Sequence, residues 1–399
     1  MNEVRNAVND NKELDVLIEA LKASLFGYSP DFPDDVDWNK VIEEAEAQTV
    51  LGIISPVIPV QSVITKQRIA NYIRILYEQD KLIKLLDEND IPCVILKGCA
   101  AAIYYPQPHL RAMGDVDFLV ERDKFEKAVS VLEANGYKYL HGKDEDGRID
   151  NNIRHIEYTK NGIEYELHHH FSSAGFDIDD ILEEAINRRV YRELGGYKIP
   201  MLPDAENGLV LLGHINQHLK NSALGLRQII DWEMFFHKVM DNDKWHSEFM
   251  PLTEQSDLNK LAVSVTKMCE SYLGLPSAVT FDETIDEEHT RELLDMILTD
   301  GNFGRKAAVQ LPNNEKKLIS CIYEIKQEGF INHFQIIGLG TWPLCNKYSF
   351  LKPFAWIYGL MRHTIRGMVP LIKSKNIKKN LDEVARRERL FNDIGVNIK

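Results

Sequence analysis

Long apolar runs are what this chain of 399 residues most conspicuously lacks. The longest near its start, LGIISPVIPV, is about half the ~20 residues that a bilayer-spanning helix needs. The opening MNEVRNAVNDNKELD is polar and acidic, with no apolar core behind a basic segment, so no secretory leader is expected. Cysteine is sparse and unpatterned: Cys93, Cys99, Cys269, Cys321 and Cys345 form no CxxC pair and are odd in number. That excludes a disulfide framework and a zinc-finger cluster, and it points to reduced thiols and a cytoplasmic location. Positive charge is also short, with 47 Lys and Arg against 61 Asp and Glu, a net charge of -14. No general nucleic-acid binding is expected of such a chain. There is no internal repeat and no low-complexity tract.

What is present is an ordinary globular composition, 44% apolar, in a chain long enough for two or three cores. From Glu13 to Asn89 the apolar spacing is helical, as in IANYIRILYEQDKLIKLLDEND, where Ile69, Ile73, Leu76, Leu82 and Leu85 recur at near 3.6-residue intervals. The pattern changes at Pro92. CVILK reads as a buried strand, GCAAAIYY as a short helix, DVDFLVE as a strand, RDKFEKAVSVLEANGY as an amphipathic helix, and IRHIEYT and IEYELHHH as further strands. HGKDEDGRIDNN between them reads as a mobile insertion. After Asp177 strand signals fade and only helices are predicted. The expected architecture is therefore α+β: an N-terminal helical region over 1–90, a small mixed sheet with helices over 91–176, an α-helical domain over 177–345, and a basic helical tail over 346–399.

The chemistry concentrates in the stretch LKGCAAAIYYPQPHLRAMGDVDFLV. Asp115 and Asp117 fall two apart on a strand, so both point one way, roughly 6.6 Å apart along it. Two carboxylates so placed repel unless a cation lies between them. Glu164 and Glu166 share a face with His168 in IEYELH, and either supplies a third carboxylate. Two divalent ions held there would clamp the attacking and leaving oxygens of a displacement at phosphorus. Gly98, after the first strand, lets the backbone turn sharply toward a phosphate. Glu166 also stands as a candidate general base toward an acceptor hydroxyl. Replacing either aspartate by asparagine is expected to spare the fold, because each charge repels the other.

Gly98 followed by the GDVDF strand and a later carboxylate resembles the nucleotidyltransferase superfamily that shares the DNA polymerase beta palm. ILKG, then R..GDVDFLV, RHIEY, YELHHHF, MLPDAEN and GHINQHLK...LRQIIDW resemble, over Ile91 to Phe236, an uncharacterised bacterial nucleotidyltransferase family often found beside surface-polysaccharide genes. The resemblance implies a palm over 91–176. It also implies Mg2+- or Mn2+-dependent transfer of a nucleoside monophosphate from an NTP to a hydroxyl acceptor, releasing pyrophosphate. Carried over residue by residue, it makes Asp115, Asp117 and Glu166 the metal ligands and Gly98 the phosphate-turn glycine. The superfamily's Gly-Ser is here Gly98-Cys99, so a hydroxyl is missing, and the charge of Lys97 supplies a phosphate contact in its place.

Several residues carry two readings each. Asp115 caps a strand or binds metal. Arg111 neutralises phosphate with its planar fork, or pairs with Asp115 or Asp117. His168 shares the site face, whereas structural roles suit His169 and His170. His155 is open between the site and the sheet. His214 and His218, one helical turn apart, pack or touch substrate, and Asp231 reaches the cleft or bonds another helix. From Lys347 to Lys379 there are eight Lys or Arg and no acid. Beside an apolar row of Ile357, Leu360, Met361, Ile365, Met368 and Ile372, this permits weak peripheral contact with an anionic membrane, or a packed terminal helix. Three functions fit: a transferase to a sugar, glycan precursor or other small hydroxyl acceptor; a toxin-like or antibiotic-modifying transferase; and a palm that only binds.

Overall fold

A computed structural model describes residues 12–59, 62–141, 154–168, 170–171, 178–220, 224–276, 279–301, 329–342, 344–345, 348–363 and 377–396. Most of the HGKDEDGRIDNN segment, His169, Cys321 and the row residues Ile365, Met368 and Ile372 lie outside them.

Among the described residues four helices precede the sheet: α1 (Lys12–Phe26), α2 (Trp38–Ala47), α3 (Leu51–Ile54) and the long α4 (Ser62–Asp87). The buried face of α4 is rotated from the predicted stripe. Tyr72, Ile75, Leu76, Leu82, Ile83 and Leu86 go inward while Ile73 is 56% exposed. The i, i+3, i+4 rhythm survives, but α4 also covers β-strands, so tertiary contacts choose its phase.

Among the described residues five strands form the sheet, β1 (Cys93–Leu96), β2 (Val116–Val120), β3 (Lys138–His141), β4 (His155–Lys160) and β5 (Ile163–His168), in the order β1-β2-β5-β4-β3. Only β2 and β5 run parallel; the other neighbours are antiparallel. Between the strands lie α5 (Gly98–Ala102) and α6 (Phe125–Ala134). Alternation along β5 sends Ile163, Tyr165 and Leu167 into the core and Glu164, Glu166 and His168 to the other face. The mixed α+β architecture is the one the sequence predicts.

The sequence predicts only helices after Asp177, yet a hairpin intervenes between α7 (Ile178–Ile186) and α8 (Asp204–Lys220). Its strands, β6 (Val190–Leu194) and β7 (Tyr197–Met201), pair antiparallel around Gly195 and Gly196, both at positive φ. A Gly-Gly pair between alternating runs is a two-residue hairpin signal. This hairpin lies against β1 and covers an edge that would otherwise be open. Next come α8 and α9 (Leu226–Val239), which touch so closely that a Cβ at Gly208 would lie 2.2 Å from the Phe235 ring. The N-terminal helices are tied to this half through the buried Gln48, which donates to the Ile297 carbonyl and accepts from the Leu226 amide.

Glu233 on α9 is fully buried, and neither carboxylate oxygen has a hydrogen-bond partner. Burial pushes its carboxyl well above the usual range, with Lys22 only partly opposing. A raised folded value means that the native state holds the proton more tightly than the unfolded chain. Stability is thus lost as pH rises out of the ordinary carboxylate range. Replacement Glu233→Met, of similar volume, is expected to stabilise by about 1–3 kcal/mol near neutral pH. Chemical denaturation at two pH values checks this: the gain should shrink in acid, and a loss of stability at neutral pH would contradict it.

Toward the C-terminus the helices Phe330–Thr341 and Ala355–His363 pair, with Trp342 stacked on Tyr358 at 5.0 Å. Ile331, Phe350, Phe354, Ile357 and Met361 around them are exposed. No helix among the described residues is long and apolar enough to cross a membrane.

Candidate active site

The cavity face of the sheet carries Asp117 from β2, beside Glu166 of β5 in parallel register, and next to it His168, which faces His155 of β4. Asp115 lies just before β2 rather than in it. One oxygen from each of Asp115, Asp117 and Glu166 lies within 4.8 Å of the others. Glu164, two residues away, is exposed and stands outside this group. The parallel register makes the choice, because Asp117 pairs with Glu166 and not with Glu164.

Lys97 is the counter-charge. It donates to Asp117 Oδ1 at 2.6 Å, and its side chain is 14% exposed. Burial by itself lowers its pKa, but Asp117 and Glu166 outweigh that and raise it. Its backbone sits at φ 47°, ψ -129°, in the left-handed half of the map that favours glycine. Holding a lysine there costs on the order of 1–3 kcal/mol, and such strain clusters at functional sites. Gly98 completes the turn at φ 21°.

The three acids are not equivalent. Asp115 is raised, first by the charge of Asp117 and then by burial, with Lys97 opposing. Burial would also raise Glu166, but its hydrogen bond with His168 and the charge of Lys97 hold it at about 2. A carboxyl that acidic accepts protons poorly near neutral pH, so Glu166 fits a charge-bearing ligand better than the general base the sequence suggests. Asp117 also accepts from His168 Nε2 at 2.9 Å. Despite burial, the contacts with Asp117 and Glu166 raise the His168 pKa. Burial lowers that of His155, with Glu166 opposing.

Nitrogen-bearing side chains share the cavity with the acids. A cavity of about 230 Å³ between α8, α9 and the sheet is lined by the acid group and by Lys97, Arg154, His214, Gln217, His218 and Arg227. His214, Gln217 and His218 fall at i, i+3 and i+4 on α8, which puts them on one face. The two imidazoles share a hydrogen bond, Nε2 to Nε2, at 2.7 Å. Burial, and then His218, push His214 well below its usual pKa. Burial and the neighbouring Arg111 lower that of Arg227. A desolvated guanidinium favours any anion brought to it. Arg154 and Arg227 escaped the sequence reading, since a lone arginine carries no positional signal.

Arg111 pairs with neither Asp115 nor Asp117. Its guanidinium makes a two-pronged bond to Asp231 on α9, Nε to Oδ1 and Nη2 to Oδ2, both at 2.6 Å, and Tyr105 donates to the same Oδ1 at 2.7 Å. The planar fork thus fastens the segment leading to Asp115 onto the helical half, and Arg111 lines the cavity with its Nε and Nη2 already engaged by Asp231. His170 pairs with Asp179, away from the acid group.

The sequence profile of the family described as "uncharacterised nucleotidyltransferase" matches residues 34–274, more than half of the chain. No curated protein is similar enough to match. Among solved structures, the antigenic nucleotidyltransferase-like protein from Paracoccidioides brasiliensis is similar at 12% identity, over 50% of this chain and 91% of that one, with a TM-score of 0.29. With the profile running from the N-terminal helices through the sheet and past α9, this chain belongs to the uncharacterised nucleotidyltransferase family.

Proposed function

We propose that the chain transfers a nucleoside monophosphate from an NTP to the hydroxyl of a small acceptor, such as a sugar or glycan precursor, and releases pyrophosphate. The observation that carries this reading is the mixed lining of one cavity: three carboxylates converge on one point, Lys97 is bonded to one of them, and Arg154 and Arg227 line the same space. An all-oxygen donor set suits a hard dication such as Mg2+ or Mn2+. The like-charge repulsion that raises Asp115 is what such an ion would relieve. Asp115, Asp117 and Glu166 would hold it, and it would stabilise charge on the phosphoryl oxygens as a Lewis acid.

The chain's own part is positioning and charge. Lys97 and Arg227 both line the cavity, where a bound polyphosphate would meet them, and a buried cation acts more strongly on it than one in water. Gly98 leaves space at the turn, since a Cβ there would meet nothing nearer than the Asp115 carbonyl at 3.8 Å. Glu166, held at about 2, stays ionised throughout and keeps His168 oriented.

The test is a pyrophosphate-release screen of hydroxyl acceptors with each NTP and Mg2+ or Mn2+, paired with thermal melting. Expected are a nucleotide-dependent rise in melting temperature that requires the metal, and release of pyrophosphate rather than orthophosphate. A chain that no NTP stabilises with either metal, and that releases neither product, would overturn the reading.

A further inference from the structure

Next to the three acids, the same sheet face carries a second set of donors whose protons are arranged for something other than hydrogen bonding. His155 and His168 are cross-strand partners with ring centroids 5.2 Å apart. Together with Glu166, each offers one ligand atom within 4.8 Å of the others. His155 Nε2 lies 3.2 Å from Glu157 Oε1, and an ionised carboxylate only accepts, so the hydrogen of a neutral ring belongs on Nε2. Nδ1 then turns a bare lone pair inward. It is buried, has no hydrogen-bond partner, and lies 3.7 Å from Glu166 Oε2. Two acceptors thus face each other with no proton between them. An imidazole that donates one N–H to a carboxylate and aims its other nitrogen at a shared centre has the geometry of a metal-bound histidine.

We propose that His155 Nδ1, Glu166 and His168 Nε2 hold a second divalent cation, and that the two imidazoles make it a transition-metal position for ions of the Mn2+, Co2+ and Zn2+ class rather than for Mg2+. Nitrogen donors favour that class, whereas Mg2+ keeps to oxygen in near-octahedral sites. Glu166 bridges this position and the one assigned to Asp115 and Asp117. Binding at Nε2 takes the neutral His168 ring in its other tautomer, with the hydrogen that now faces Asp117 carried on Nδ1 instead, so that the ring stays neutral and the metal takes the Nε2 lone pair. The inference deepens the transferase reading through the shared Glu166, but binding here requires neither nucleotide nor turnover.

The full chain, stripped with a chelator, is titrated with Co2+ while its visible absorption is followed, and is separately loaded with Mn2+ for pulsed EPR. Expected are a Co2+ band that excess Mg2+ does not displace and nitrogen coupling from imidazole in the Mn2+ spectrum. Glu157→Gln, at a half-buried position, should weaken Co2+ binding by about 10- to 100-fold through loss of ring orientation. His155→Ala should remove both signals. Nitrogen coupling absent from the Mn2+-loaded native chain overturns the proposal without recourse to any variant, and so does a Co2+ band that Mg2+ abolishes. The two readings fail separately. A nitrogen-coupled cation in a chain that turns over no nucleotide leaves this site standing and removes the transferase; Mg2+-dependent turnover without nitrogen coupling does the reverse.

Discussion

Asp115→Asn is expected to lower nucleotidyl transfer by about 10³-fold while the protein melts slightly higher than the native chain without metal. Removing one donor that acts on charge developing at the transition state costs about 10²–10³-fold, and a ligand that also fixes the cation belongs at the upper end. The stability effect follows from the raised pKa of Asp115, whose largest cause is Asp117. A raised folded value means a contribution that is favourable in acid and lost as pH rises through the carboxylate range, so at neutral pH the charge is a burden. Removing it should gain on the order of 1 kcal/mol, about 1 °C for a chain of this size. Asp117→Asn should lose activity equally but melt lower, because its carboxylate holds the buried Lys97 at 2.6 Å and His168 at 2.9 Å. The sequence treats the two aspartates alike; the structure separates them, because only Asp117 has taken the cation. Turnover and melting of both variants decide the matter, and retention of Mg2+-dependent turnover in both would remove the acids from the site.

The second large effect is structural. Asp231→Ala should destabilise by about 3–5 kcal/mol, because it leaves Arg111, 4% exposed, as a buried charge without its counter-ion. Tyr105 loses its acceptor in the same step. Arg111→Met combined with Asp231→Leu should recover most of that loss, since replacing both ions with apolar groups of similar volume removes the desolvation penalty along with the attraction. A double-mutant cycle measured by denaturant unfolding gives the coupling. Additive single and double changes would mean that the pair contributes nothing as a pair. The activity of the double variant reports whether the pair also positions the acids, because Arg111 begins the segment that ends at Asp115.

The sequence by itself determined the parts whose signals are local. Alternation in DVDFLV and IEYELH marks two strands, and the two-residue period puts Glu164, Glu166 and His168 on one face of the second. Helical periodicity from Glu13 to Asn89 marks the N-terminal helices. The hairpin at Val190–Met201 was also legible, in its Gly-Gly turn between alternating residues, although the surrounding helical patterns obscured it. What only the tertiary structure decided concerns partners far apart in the chain. The parallel pairing of β2 with β5 sets Glu166 rather than Glu164 beside Asp117, and no local pattern encodes which strands become neighbours. Arg111 and Asp231 are 120 positions apart, so their bond exists only once α9 packs on the loop before β2. Arg154 and Arg227 reach the cavity for the same reason. Side-chain direction within a strand or helix follows from the backbone period, but which charge meets which depends on packing between elements, where burial makes an uncompensated ion costly enough to select its partner.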